Sequence, residues 1–195
     1  MEVILIRHGQ TAGNLARRYI GATDEPLCHD GIVTSAKSGI FLNVPLVYAS
    51  PATRAVQTSQ IKFPNARTLL FPGLREMDFG VFERRTADEM ADDMRYRAWV
   101  NGECFGECPN GEGRIGFTAR TCITFSEIVA ENLDRRRRYV IIVAHAGTIM
   151  AIMERFARPR QAYFDWHPTY CGGYQAHIDD GTWGITPRLT DYREI

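Results

Sequence analysis

Two uninterrupted apolar runs constrain this chain more than any other feature: Val3-Ile4-Leu5-Ile6 and Tyr139-Val140-Ile141-Ile142-Val143-Ala144. Runs that do not alternate with polar residues belong to strands covered on both faces, which requires a sheet with helices on either side. Leu46–Ala49 and Thr68–Phe71 read as shorter strands of the same kind. Between them, helical spacing marks 30–42 through Ile32, Ala36, Ile40 and Phe41. Pro51 opens a helix near 52–62, since a proline is tolerated in the first turn. Thr86-Ala87-Asp88-Glu89 has the form of a capping box and predicts a helix to about Val100. Apolar positions recur through 115–133, a helix from about Thr148 to Phe156 follows the second run, and 173–189 alternates as one or two further strands. This alternation predicts an α/β fold, a three-layer α/β/α sandwich with a mostly parallel central sheet.

At 195 residues, with no linker, repeat or low-complexity tract, the chain is expected to form one domain over 1–195. Its 23 basic and 23 acidic side chains cancel, which argues against a dedicated partner among nucleic acids or anionic membranes. No apolar run approaches the roughly 18 residues of a bilayer span, and Arg7 and His8 interrupt any leader. Five scattered cysteines do not form a disulfide framework. A soluble, cytoplasmic protein is expected. Cys104 and Cys108 lack a second pair, and His8, His29, His145, His167 and His177 lack zinc-site spacing, so no metal is expected. The Arg135–Arg138 run reads as a solvated helix end.

Ligands of open α/β sheets sit outside the carboxyl ends of the strands. Arg7 and His8 end the first predicted strand, Arg54 opens the helix after the second, Glu76 follows the third, and His145 ends the fourth. If the strands are parallel neighbours, these side chains share one rim. Guanidinium forks match phosphate oxygens bidentately and stay charged. A neutral imidazole can attack phosphorus, and a carboxyl can protonate the leaving oxygen. The set suits an anion plus proton transfer.

Four segments in order carry a family resemblance: Arg7-His8-Gly9-Gln10-Thr11 with Asn14, Ser50-Pro51-Ala52-Thr53-Arg54-Ala55-Val56-Gln57-Thr58, Leu74-Arg75-Glu76-Met77-Asp78-Phe79-Gly80, and Ala144-His145-Ala146-Gly147. They resemble the histidine phosphatase (phosphoglycerate-mutase-like) superfamily over nearly the whole chain. The resemblance implies His8 as a nucleophile that becomes phosphohistidine and Glu76 as the proton donor. It implies Arg7, Arg54 and His145 as the phosphate pocket, with His145 also counted as catalytic and Asn14 as a supporting contact. No metal or cofactor is implied, and the partner is a small-molecule phosphomonoester. The oligomeric state stays open, a homodimer included.

Within the superfamily, Tyr19–Leu27, Ala98-Trp99 and Asn110-Gly111-Glu112-Gly113 are similar to α-ribazole phosphatases. Phe82 and Arg84 depart from the pattern, which usually has Trp and Gly there. This likeness implies a metal-independent phosphomonoesterase acting on α-ribazole 5′-phosphate. Its rivals are a phosphoglycerate mutase or broad sugar phosphatase, and a non-catalytic phospho-ligand-binding module, disfavoured because every catalytic position is filled. The family builds its substrate lid in a segment matching about 82–113. Thr23, outside that segment, and Tyr96, Trp99 and Glu112 within it are the candidate substrate contacts. Tyr96, Trp99 and Phe105 read equally well as core cover, and Glu112 as a plain loop carboxylate. From Thr86 to Glu112, seven acids stand against two bases, a balance of minus five, which favours an uncharged, nucleoside-like leaving group. Two local expectations follow from the mechanism. The non-attacking nitrogen of His8 should donate to a carbonyl near Gly9, and Glu76 should be hard to ionise beside a phosphate dianion.

Overall fold

The computed structural model describes residues 1–195. Six strands, β1 (Glu2–Arg7), β2 (Leu46–Ala49), β3 (Arg67–Leu70), β4 (Tyr139–Ala144), β5 (Gly173–His177) and β6 (Thr190–Glu194), form one sheet in the order β3-β2-β4-β1-β5-β6. The first four in that order run parallel. β5 lies antiparallel to β1 and to β6. Helices α1 (Ala12–Leu15), α2 (His29–Lys37), α3 (Thr53–Lys62), α4 (Met94–Asn101), α5 (Arg114–Asp134) and α6 (Ala146–Phe156) complete the α/β sandwich.

The two strong apolar runs are buried on both faces because their alternate residues feed two cores. Val3, Leu5, Val140 and Ile142 pack with Phe125 and Ile128 of α5 and Ile149 and Met153 of α6. Ile6, Ile141 and Val143 pack with Val47, Ala55 and Phe63 on the opposite face. The strand period of two thus explains why neither run can spare a polar position.

The departures from expectation are local. The helix expected over 30–42 ends at Lys37, because Gly39 turns the chain with φ +103° and leaves Ile40, Phe41 and Leu42 exposed. The capping box at Thr86 does form, with the Thr86 amide donating to Glu89 and the Glu89 amide donating to Thr86 Oγ1. It opens only a 3₁₀ turn, Asp88–Met90, and α4 then starts afresh from Asp93, whose carboxylate accepts the Arg95 amide at 3.0 Å. A second N-cap eight residues into the predicted helix outcompetes its continuation. The last strand, β6, lies beyond the expected 173–189 stretch. The arginine run is the turn after α5 and not its last helical turn; Arg136 is left-handed and Arg135 pairs with Glu131.

A third core forms in and around 82–113, from Met77, Phe82, Met90, Tyr96, Trp99 and Cys108 against Phe117 and Tyr163. No helix is long and apolar enough to cross a membrane.

Candidate active site

The parallel register pairs Arg7 with Ala144, so the next residues, His8 and His145, emerge side by side at the carboxyl edge. The His8 amide continues the ladder to Ala144 O, and the Ser50 amide continues it from β2 to Val143 O. The imidazoles meet edge to face with centroids 5.0 Å apart. His8 Nδ1 lies 2.6 Å from Gly9 O, and a carbonyl only accepts, so Nδ1 carries the proton and Nε2 keeps its lone pair. This is the orientation expected of a nucleophile. His145 Nε2 pairs with Ser50 Oγ at 2.7 Å, while its Nδ1 is buried without a partner.

Arg54 projects from the first turn of α3 and is fully buried. Its Nη1 donates to Thr23 O and its Nη2 to Gly21 O, each at 2.9 Å. Arg7 donates through Nη1 to Pro168 O and stacks on the Tyr170 ring at 3.7 Å. The Nε atoms of both arginines are buried and unpartnered. Glu76 follows a short 3₁₀ turn, Pro72–Leu74, and accepts the Met77 and Gly147 amides at 3.0 Å each. Gly147 is required there, since a Cβ would collide with the Glu76 carboxyl. The structure therefore brings Arg7, His8, Arg54, Glu76 and His145 to one rim.

The electrostatics follow from burial. Desolvation and the neighbouring Arg54 hold His8 and His145 well below the usual imidazole range. Desolvation raises Glu76 above the usual carboxylate range, against the opposing pull of its two amides. A neutral imidazole base thus stands among positive groups and a carboxyl biased toward its protonated form. Such a set can hold a tetrahedral anion, attack it and protonate a leaving group. No group of three or more His, Cys, Asp or Glu side chains is placed to hold a metal ion.

The remaining candidates fare differently. Asn14 closes a capping box with Thr11, its Oδ1 accepting the Thr11 amide. Thr23 offers its carbonyl to Arg54 while its own side chain is only half-buried. Glu112 is held bidentately by Arg120 at 2.7 Å and accepts the Asp78 amide, and Arg120 also donates to the carbonyls of Arg75 and Glu76. Glu112 thereby fastens the Glu76 loop while lining a polar cavity of about 530 Å³ with Asp24, Arg75, Asp78 and Arg120. Glu76 also borders a second, apolar cavity of about 230 Å³, walled by Tyr19, Met77, Phe79, Trp99, Tyr163 and Phe164.

Trp99 therefore reaches the site's edge. Tyr96 does not: it is packed against Phe82 and Trp99, and its hydroxyl meets Tyr19 Oη at 2.9 Å. Phe105 lies over the Arg114 guanidinium outside the apolar cavity. Of the acids behind the minus-five balance only Glu112 lines the polar cavity, and Glu103 and Glu107 are exposed. Asp88, Glu89 and Asp92 are exposed, Asp92 and Asp93 are paired with Arg97 and Arg95, and Glu112 is neutralised by Arg120. Tyr170, Arg120 and Glu83 are the parts that sequence reading missed. Each acts through contacts between distant segments, which leave no local pattern.

The family model described as histidine phosphatase superfamily (branch 1) matches residues 3–188. The chain is 35% identical over 127 residues to the probable phosphoglycerate mutase GpmB of Enterobacter sp. (strain 638), a match covering 62% of this chain and 59% of that protein. It is 29% identical over its full length to the adenosylcobalamin/alpha-ribazole phosphatase of Escherichia coli (strain K12), covering 98% of that relative. In structure it is similar to the alpha-ribazole phosphatase from Shigella flexneri, with a TM-score of 0.78, 27% identity, and coverage of 92% and 91% of the two chains.

Proposed function

Because this chain belongs to the histidine phosphatase superfamily, we propose that it is a phosphomonoesterase working through a phosphohistidine on His8. One observation carries this reading. Three buried nitrogens without protein partners, Arg7 Nε, Arg54 Nε and His145 Nδ1, belong to the residues that share the rim with His8. Buried polar nitrogens are ordinarily paired, and two guanidinium donors with an imidazole nitrogen beside a nucleophile suit the oxygens of a phosphoryl group.

His8 Nε2 attacks phosphorus in line as the ester P–O bond breaks, and the positive groups offset charge on the equatorial oxygens. Protonated Glu76 gives its proton to the departing alkoxide. Water then attacks the phosphohistidine, yields its proton to the Glu76 carboxylate, and the N–P bond breaks to release phosphate. Ser50 Oγ accepts the Ala52 amide and donates its hydroxyl proton to His145 Nε2, so that His145 Nδ1–H donates to the phosphoryl group.

For the substrate, we propose α-ribazole 5′-phosphate. The apolar cavity beside Glu76 supports a flat, apolar leaving group, with Trp99, Tyr19 and Phe79 as its walls. The full-length likeness to an alpha-ribazole phosphatase supports the same choice. A second reading, action on a small carboxylated phosphate such as 3-phosphoglycerate, has Arg75 in the polar cavity in its favour.

One experiment separates these readings: steady-state turnover of both substrates, with alkaline quenching to trap protein-bound phosphate. The expected result is acid-labile phosphate on the wild type and none on His8→Ala. Base–aromatic stacking is worth roughly 1–3 kcal/mol, so α-ribazole 5′-phosphate should lead by about 5- to 150-fold in kcat/KM. Trp99→Ala should lower that lead and spare 3-phosphoglycerate. Equal kcat/KM for the two substrates would reject the α-ribazole assignment, and a phosphoenzyme persisting in His8→Ala would reject the nucleophile.

A further inference from the structure

We propose that Glu83 is the positioning residue that holds Arg54 in place, acting through the main chain of residues 20–23; the inference rests on the phosphate-pocket reading of Arg54. Glu83 is half-buried, and its carboxylate accepts main-chain amides alone. Gly21 N lies 3.1 Å from both oxygens, Ala22 N 2.9 Å and Phe79 N 3.0 Å from Oε1, and Thr23 N 3.3 Å from Oε2. A carboxylate has about four lone-pair sites, and here they are filled by the backbone.

The same peptide units face Arg54 on their other side. The unit joining Gly21 to Ala22 gives its N–H to Glu83 and its carbonyl to Arg54 Nη2 at 2.9 Å. The preceding unit, Ile20 to Gly21, does likewise, with its carbonyl 3.4 Å from Nη2. In a trans peptide the N–H and C=O point in opposite directions. Two consecutive peptide dipoles therefore lie head to tail between an anion and a cation, an arrangement in which each hydrogen bond polarises the next.

Two further contacts tie this bracket to the site. Asp24, just past the loop, accepts the Thr53 amide at 2.8 Å and its hydroxyl at 2.6 Å, fastening the first turn of the helix that carries Arg54. Gly21 sits so close to Met77 O, on the Glu76 loop, that a Cβ would have no room. With its terminal nitrogens committed to this loop, Arg54 keeps Nε for the ligand. Replacing Glu83 by Gln turns one acceptor into an amide donor facing amide donors, which should release the loop and blur the guanidinium's position.

The test is vanadate affinity of the full chain, by calorimetry, for wild type, Glu83→Gln, Arg54→Met and the double variant. Glu83→Gln should weaken vanadate by about tenfold, the scale of one charge-assisted hydrogen bond, yet by less than about twofold in the Arg54→Met background. A general loss of packing would act equally in both backgrounds, and that outcome overturns the proposal. Vanadate binding that ignores Arg54→Met overturns the phosphate-pocket reading instead, and the proposal with it. Should Glu83→Gln fail to fold, amide exchange of the wild type decides. The Ala22 and Thr23 amides, exposed or nearly so, should exchange far slower than free loop amides; unprotected exchange there refutes the bracket.

Discussion

His8 and Glu76 are both buried, and burial moves their proton affinities in opposite directions. The proposed phosphatase cycle needs His8 without its second proton and Glu76 with its proton. His8, held below 6.5, loses its proton at lower pH than a free imidazole, so kcat/KM should rise along an acid limb below pH 6.5. Glu76, raised above 4.5, keeps its proton to higher pH, so activity should fall along a limb above the ordinary carboxylate range. A bell-shaped kcat/KM profile is expected, its acid limb set by His8 and its alkaline limb by Glu76. Glu76→Gln should cost about 100- to 10,000-fold and remove the alkaline limb. Ionisation of the substrate phosphate is common to both proteins, so an unchanged alkaline limb in Glu76→Gln would exclude Glu76 as the acid. The sequence already exposed the central residues, because Arg7, His8 and His145 directly follow apolar runs and strand ends are where sheets present ligand groups. Tyr170 and Glu83 were hidden for a physical reason. Arg7 meets Tyr170 from the opposite end of the chain, and Glu83 works only through amides that a loop happens to present.

The strands were legible and the segment 82–113 was not. A buried parallel strand is defined by its own residues, whereas 82–113 is organised by aromatic contacts among separate short pieces, with Phe82 5.5 Å from both Tyr96 and Trp99. The competing caps at Thr86 and Asp93 broke the helix expected there. Arg84 sits in the same segment at φ +62°, a left-handed turn whose amide bonds to Tyr19 O. For a non-glycine residue that conformation costs about 1–2 kcal/mol, and glycine would return about 0.5–1 kcal/mol of it to unfolded-chain entropy. Arg84→Gly should therefore stabilise the protein by about 0.5–1 kcal/mol. Thermal unfolding would show this as a gain of about 1–4 °C. A drop in Tm would mean that the arginine side chain contributes more than its backbone conformation costs.

Over the whole molecule the charges cancel, but the topology does not spread them evenly. Order β3-β2-β4-β1 gathers Arg7, Arg54 and the amino end of α6 at one edge, while burial of Glu76 favours its neutral form. The fold thus holds desolvated cations against main-chain carbonyls, a cost that functional sites commonly impose on stability. A tetrahedral oxyanion bound at this edge would relieve it, and because the unfolded chain has no such pocket, its binding would stabilise the folded state. At a vanadate concentration of 100 times Kd the gain is about 2.7 kcal/mol. For a chain of this size that corresponds to a Tm rise of about 5–10 °C. Chloride at matched ionic strength should give much less, since screening acts on exposed charges and not on a buried pair of guanidiniums. His8→Ala should keep most of the vanadate shift, because it removes the attacking nitrogen and leaves the donors. Arg54→Met should lose most of it. A shift of the same size in Arg54→Met as in wild type would show that the anion binds somewhere other than this edge, whatever the topology gathers there.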